Sequence, residues 1–161
     1  KIILSGKITK AYPERQKLLT LRNNNVVSLQ YNYNFRFKNK HNEYVDFLSN
    51  FICGFVSGAT VPRYRYGIVH KIYEVLSAGC LLLCPISHEE LLKNIGLIKD
   101  VNYMCINLSQ EPNKTINFIC NEKNRNVINN IRKKGHELAK NVFTPENKYK
   151  EFLNIIETKL R

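Results

Sequence analysis

Aspartate is scarce: the 161 residues hold only Asp46 and Asp100. No D-x-D pair exists, so the usual carboxylate pair for fixing a divalent ion beside a phosphate is missing, and a metal-free site is expected. Five cysteines (Cys53, Cys80, Cys84, Cys105, Cys120) form no C-x-x-C pair. Cys80, Cys84 and His88 recur at intervals of four, but the two thiols bracket an apolar run and no second ligand pair follows, so zinc is not expected. An odd number of thiols in apolar surroundings reads as reduced core cysteine and predicts a cytoplasmic setting. Long apolar runs are also missing. The longest low-charge stretch, residues 47–61, contains Asn, Ser and Gly and is too short to span a bilayer. Lys1-Ile-Ile-Leu-Ser-Gly6 is too brief for a secretory signal, and the opening Lys suggests an excised or processed segment. There is no internal repeat and no linker.

What the chain has is positive charge. Twenty-five Lys and Arg stand against 13 Asp and Glu, a net charge of +12 with 43% apolar residues, enough for one globular domain with one core. A field of that sign favours phosphates, whether on nucleotides, nucleic acid or an anionic membrane surface. The basic residues are scattered rather than gathered in one arm, which disfavours nucleic acid.

Short apolar runs alternate with helical patterns. Ile2-Ile3-Leu4, Val26 to Gln30, Ile52 to Val56, Leu81 to Cys84 and the weaker Tyr103 to Ile106 read as strands. Pro13 to about Arg22, His41 to Phe51, Gly67 to Ala78, and the stripes Val127/Ile131/Leu138/Val142 and Tyr149/Phe152/Leu153/Ile156/Leu160 read as helices. Gly79 should end the third helix, and Ser87 should cap a fourth with Glu90 as its capping-box partner. Strands apolar throughout, alternating with helices, predict a parallel sheet covered on both faces, a doubly wound Rossmann-like α/β domain. Such sheets bind ligands beyond the strand C-termini, so functional groups should follow Gly6, Ser57 and Cys84 or lie near Tyr31.

The loop Ser57 to Gly67 leads into the third helix. Free N–H groups at that helix start, with Gly67 leaving room and Arg63, Arg65 and Lys71 supplying charge, would suit a diphosphate. Glu74 on the same polar face could accept two ribose hydroxyls. Spacing alone favours a plainer reading, in which Glu74 pairs with Lys71 or His70 at the surface. His70, one turn before Glu74, is the one histidine that stands out.

Gly67-Ile-Val-His70-Lys71-Ile-Tyr-Glu74-Val-Leu-Ser-Ala-Gly79-Cys-Leu-Leu-Leu-Cys84 resembles the donor-site segment of group 1 glycosyltransferases with the GT-B fold. Their signature is a helix carrying Glu, then Ala-Gly, then a hydrophobic strand. The opening Ser5-Gly6 with Tyr12-Pro13-Glu14-Arg15, and the tail with Arg132-Lys-Lys-Gly135 and Phe143-Thr-Pro145, are similar to the same half. The resemblance covers nearly the whole chain and implies the C-terminal, nucleotide-sugar-binding half of such an enzyme. Glu74 would then hold the ribose. Gly67, Lys71, His70, Arg63, Arg65, Gly6 and Arg15 would line the donor site, with no cofactor. An N-terminal domain would supply the acceptor and the catalytic base, so no catalytic residue is assigned. Tyr66 stands where many retaining members carry a second Glu, and Leu81 where many carry Pro.

Two rival readings remain. One is a non-catalytic module that keeps a nucleotide crevice. The other is a nucleic-acid-binding domain using Tyr31, Tyr33, Phe35, Arg36, Lys38 and Lys40 for stacking and phosphate contact; a solvated loop is the simpler account of that stretch.

Overall fold

Alternation along each short strand splits its side chains between two apolar layers, and this builds the sheet into the middle of the molecule. The computed structural model describes residues 1–6, 8–29, 41–58 and 70–159. Its strands are β1 (Ile2–Ser5), β2 (Val26–Leu29), β3 (Cys53–Phe55), β4 (Leu81–Pro85) and β5 (Met104–Ile106). They pair in parallel in the order β2-β1-β3-β4-β5. The helices are α1 (Pro13–Thr20), α2 (His41–Ser49), α3 (Lys71–Ser77), α4 (Glu89–Lys93), α5 (Pro112–Cys120), α6 (Arg125–Asn141) and α7 (Pro145–Lys159). The fold is the expected doubly wound α/β domain.

Ile3, Val56, Leu82 and Cys84 meet α2 and α3 on one face, through Leu48, Ile72, Val75 and Leu76. On the other face Ile2, Leu4, Phe55 and Leu83 meet Leu18 of α1 and Ile116 and Ile119 of α5. All of these side chains are buried, each aliphatic one contributing roughly 1.5–3 kcal/mol. Gly54 sets the approach of α3: a β-carbon there would stand 2.7 Å from Val75 Cγ2.

α6 belongs to both layers. Ile128 and Ile131 pack in the second cluster, while Leu138 and Ala139 join the first. It crosses below the N-terminal end of β4, where Arg132 Nε donates to Gly79 O (2.8 Å) and His136 Nδ1 lies 3.0 Å from Leu76 O. Leu76 O also accepts from Gly79 N–H at 3.0 Å, so these contacts tie α6 to carbonyls at and just beyond the end of α3. Gly79, at φ +67°, turns the chain from α3 into β4 as expected. Gly135 lets α6 close in, since a β-carbon there would lie 2.6 Å from Asn102 O.

Several expectations are corrected. Val127 and Val142 are exposed, and α6 instead buries Ile128, Ile131, Gly135 and Ala139, because small residues let the helix sit closest. In α7, Tyr149, Leu153 and Ile156 are exposed rather than packed. Ser87 does not cap a helix: a 3-10 turn spans Ile86–His88, His88 precedes α4, and no side-chain cap bond forms. Pro85 ends β4 from within, still paired with Ile106. The described part of the third helix starts at Lys71; Gly67 and Ile68 lie outside the described residues, as do Leu160 and the Tyr31–Lys40 stretch. Among the described residues, no helix is long and apolar enough to cross a membrane.

Candidate functional site

The chain leaves β1 to build β2 on one side, then returns past β1 to build β3, β4 and β5 on the other. Loops at the C-terminal ends of β1 and β3 therefore diverge, and this switch point is where open parallel sheets leave a crevice. Gly6 follows β1, Ser57 and Gly58 follow β3, and His88 follows β4.

Gly6 adopts φ +108°, a conformation that disfavours any side chain. The place a β-carbon would occupy is 2.8 Å from Arg15 Nη1 and 3.6 Å from Lys71 Cε. Two cationic side chains 56 residues apart thus border one glycine, Arg15 with its guanidinium and Lys71 with the methylene next to its ammonium. Arg15 projects from the first turn of α1, is 5% exposed, and stacks on Tyr12 with its guanidinium carbon 4.0 Å from the ring centre. Its Nη2 donates to Ser57 O at 3.3 Å. Burial lowers its pKa, opposed by Tyr12 and Tyr44, a shift that leaves a guanidinium charged at neutral pH.

Lys71 opens the described part of α3. Its Nζ donates to Tyr44 Oη (2.8 Å) and lies 3.4 Å from Glu74 Oε2, one turn along the same face. The Glu74 side chain keeps 35% of its exposure, so the carboxylate remains reachable while paired. Buried Ile72, Val75 and Leu76 anchor the opposite face of α3 and leave Lys71 and Glu74 on its partly exposed face.

The rim beyond β3 is polar. Gly58 N–H donates to His88 Nε2 at 2.8 Å, and Ser87 Oγ sits 3.2 Å from His88 Nδ1. Burial lowers the His88 pKa from its usual 6.5, with Glu14 pulling the other way. Ser57 is fully buried, and neither its hydroxyl nor Glu14 Oε2 has a hydrogen-bond partner among the described residues.

Of the residues singled out in the sequence, Gly6, Arg15, Lys71 and Glu74 come together. His70 precedes α3, exposed and without a side-chain capping bond. Arg63, Arg65 and Gly67 lie outside the described residues. Tyr44, Ser57 and His88 were not singled out for the donor site. Position just beyond a strand's C-terminus was the available signal for Ser57 and His88. Tyr44 had none, since helical spacing places it in the core, where it is in fact 7% exposed.

The cysteines sit apart from this group. Cys80 Sγ donates to Leu48 O (3.0 Å), and burial raises its pKa to about 11. Cys53 and Cys84 are fully buried and shifted the same way. Among the described residues, no cluster of His, Cys, Asp and Glu is placed to hold a metal ion.

Chemically, the arrangement offers a glycine floor, two cations and a nearby carboxylate. That combination suits an anion carrying neighbouring hydroxyls. No protein-family model matches the chain, and no curated protein matches it in sequence.

Proposed function

We propose that this domain binds a nucleotide diphosphate sugar and is the donor-binding half of a metal-independent glycosyltransferase. The observation that carries the reading is the convergence of Arg15 and Lys71 on Gly6 at the sheet's switch point. Glu74 balances Lys71, and Arg15 adds a buried guanidinium beside the same glycine, a setting that suits an anion such as a diphosphate. Glu74, within reach of Lys71, supplies acceptors for the ribose hydroxyls next to that diphosphate. The likeness of the Gly67–Cys84 segment to group 1 glycosyltransferases supports the same division of labour.

In this reading an acceptor hydroxyl attacks the anomeric carbon, the bond from that carbon to the diphosphate oxygen breaks, and the acceptor's proton passes to a base. Negative charge grows on the leaving diphosphate. Arg15 and Lys71 stabilise it without an ion, each donating charge-assisted hydrogen bonds in a partly dry setting. The acceptor and the base belong to a partner domain of the two-domain fold.

The test is a panel of UDP, GDP, dTDP and a random oligonucleotide in a thermal-shift assay, with and without EDTA. One nucleoside diphosphate should raise the melting temperature in a saturable way, unaffected by chelator. Stabilisation by the oligonucleotide alone would refute the donor reading, and a shift abolished by EDTA would refute its metal independence.

A further inference from the structure

The peptide joining Ser57 to Gly58 is held at both ends. Its carbonyl oxygen accepts from Arg15 Nη2 at 3.3 Å, and its N–H donates to His88 Nε2 at 2.8 Å. A trans peptide is planar, with C=O and N–H pointing opposite ways, so fixing one group fixes the direction of the other. Gly58 lets the imidazole come this close, since a β-carbon on it would stand 3.0 Å from Nε2.

We propose that His88 is a positioning residue of the anion site: by holding Gly58 N–H it aims the Ser57 carbonyl at Arg15, and so keeps the guanidinium beside Gly6. The inference rests on the anion-binding reading given above, and it adds a requirement for the protonation state of the imidazole.

Because Nε2 accepts the Gly58 N–H, the ring is neutral and carries its proton on Nδ1, where Ser87 Oγ lies 3.2 Å away. The charged groups facing it, among the described residues, are Glu14 from α1 and, across the peptide, Arg15. Burial keeps the ring neutral more strongly than Glu14 favours its charge. A second proton would turn Nε2 into a donor and end its grip on Gly58. The resulting sign is diagnostic. Added positive charge alone would strengthen anion binding at low pH, whereas loss of the grip weakens it.

The experiment uses isotope-labelled chain and inorganic pyrophosphate as the probe. The Gly58 amide and the Arg15 Nε–H resonances are followed from about pH 5 to 8 in the wild type, His88→Gln and His88→Ala. Glutamine places a neutral amide near the position of Nε2. In the wild type both resonances should move with one midpoint, and in His88→Gln both should stay still. Pyrophosphate affinity at neutral pH should fall roughly tenfold in His88→Ala and return to within about twofold in His88→Gln. The inference is overturned if Arg15 stays still while Gly58 titrates, or if a folded His88→Ala binds pyrophosphate like the wild type. It is equally overturned if the wild type binds pyrophosphate more tightly at low pH than His88→Gln does. Should His88→Ala fail to fold, the wild-type and His88→Gln titrations decide alone. Binding of pyrophosphate with no gain for UDP or GDP would refute the nucleotide reading and leave the role of His88 intact. A wild type that binds neither refutes both.

Discussion

Arg15 and Gly6 are matched to one another: the guanidinium Nη1 lies 2.8 Å from where a β-carbon on Gly6 would be, and Gly6 holds φ +108°. Both facts bear on Gly6→Ala. The backbone conformation costs an L-residue about 1–3 kcal/mol, and the methyl group would push Arg15 from its seat. The variant should melt lower than the wild type and bind nucleoside diphosphate more weakly. Urea unfolding beside calorimetry checks both effects.

Gly135→Ala should act on stability alone. Its β-carbon would stand 2.6 Å from a backbone oxygen, Asn102 O, which cannot swing aside like a side chain. A cost of roughly 1–3 kcal/mol is expected, read from the urea midpoint at unchanged slope. Gly135 lies in α6 against Asn102 and Leu76, away from the C-terminal ends of the strands that carry Gly6 and Ser57, so nucleotide affinity of the folded fraction should not change.

Stability should depend on pH through His88. Its folded pKa lies below the usual 6.5, so as pH falls the unfolded chain takes up that proton first. The neutral ring's contribution is complete above about pH 6.5, declines toward the folded pKa, and changes no further below it. His88→Gln should remove this part of the slope. A wild type and variant with parallel midpoint-against-pH curves would contradict the assignment.

The three buried thiols should resist alkylation in the folded protein. Cys53, Cys80 and Cys84 are buried with pKa values raised by burial, Cys80 to about 11, so little thiolate is present at neutral pH. Mass spectrometry after brief iodoacetamide treatment should find these three unmodified without urea and modified with it.

The sheet was legible because its strands are short and mostly apolar, most plainly Leu81-Leu82-Leu83-Cys84, and because Gly79 marks the turn into that strand. The face of α6 was not, since a search for large apolar residues passes over Gly135 and Ala139, where closest packing needs the smallest side chains. Ser87 has the spacing of a helix cap, but the 3-10 turn after Pro85 leaves His88 rather than Ser87 ahead of α4. In the site, Lys71 and Glu74 could be seen because one helix turn links them. Tyr44 and His88 act on residues 27 and 30 positions away. Contacts at that range are set by the packing of the sheet, which no local pattern encodes.

The most direct test of the donor-site reading is calorimetric titration of the preferred nucleoside diphosphate and of pyrophosphate into wild type and Glu74→Ala, with melting curves alongside. Glu74 lies on the open face of α3 and its truncation leaves no core cavity, so the fold should persist. Loss of a charge-assisted hydrogen bond to the ribose costs about 1.5–3 kcal/mol, so nucleotide affinity should fall roughly tenfold to a hundredfold while pyrophosphate affinity is retained. Unchanged nucleotide affinity in a folded Glu74→Ala would contradict the account, leaving Glu74 a surface partner of Lys71 and the fold without its assigned ligand.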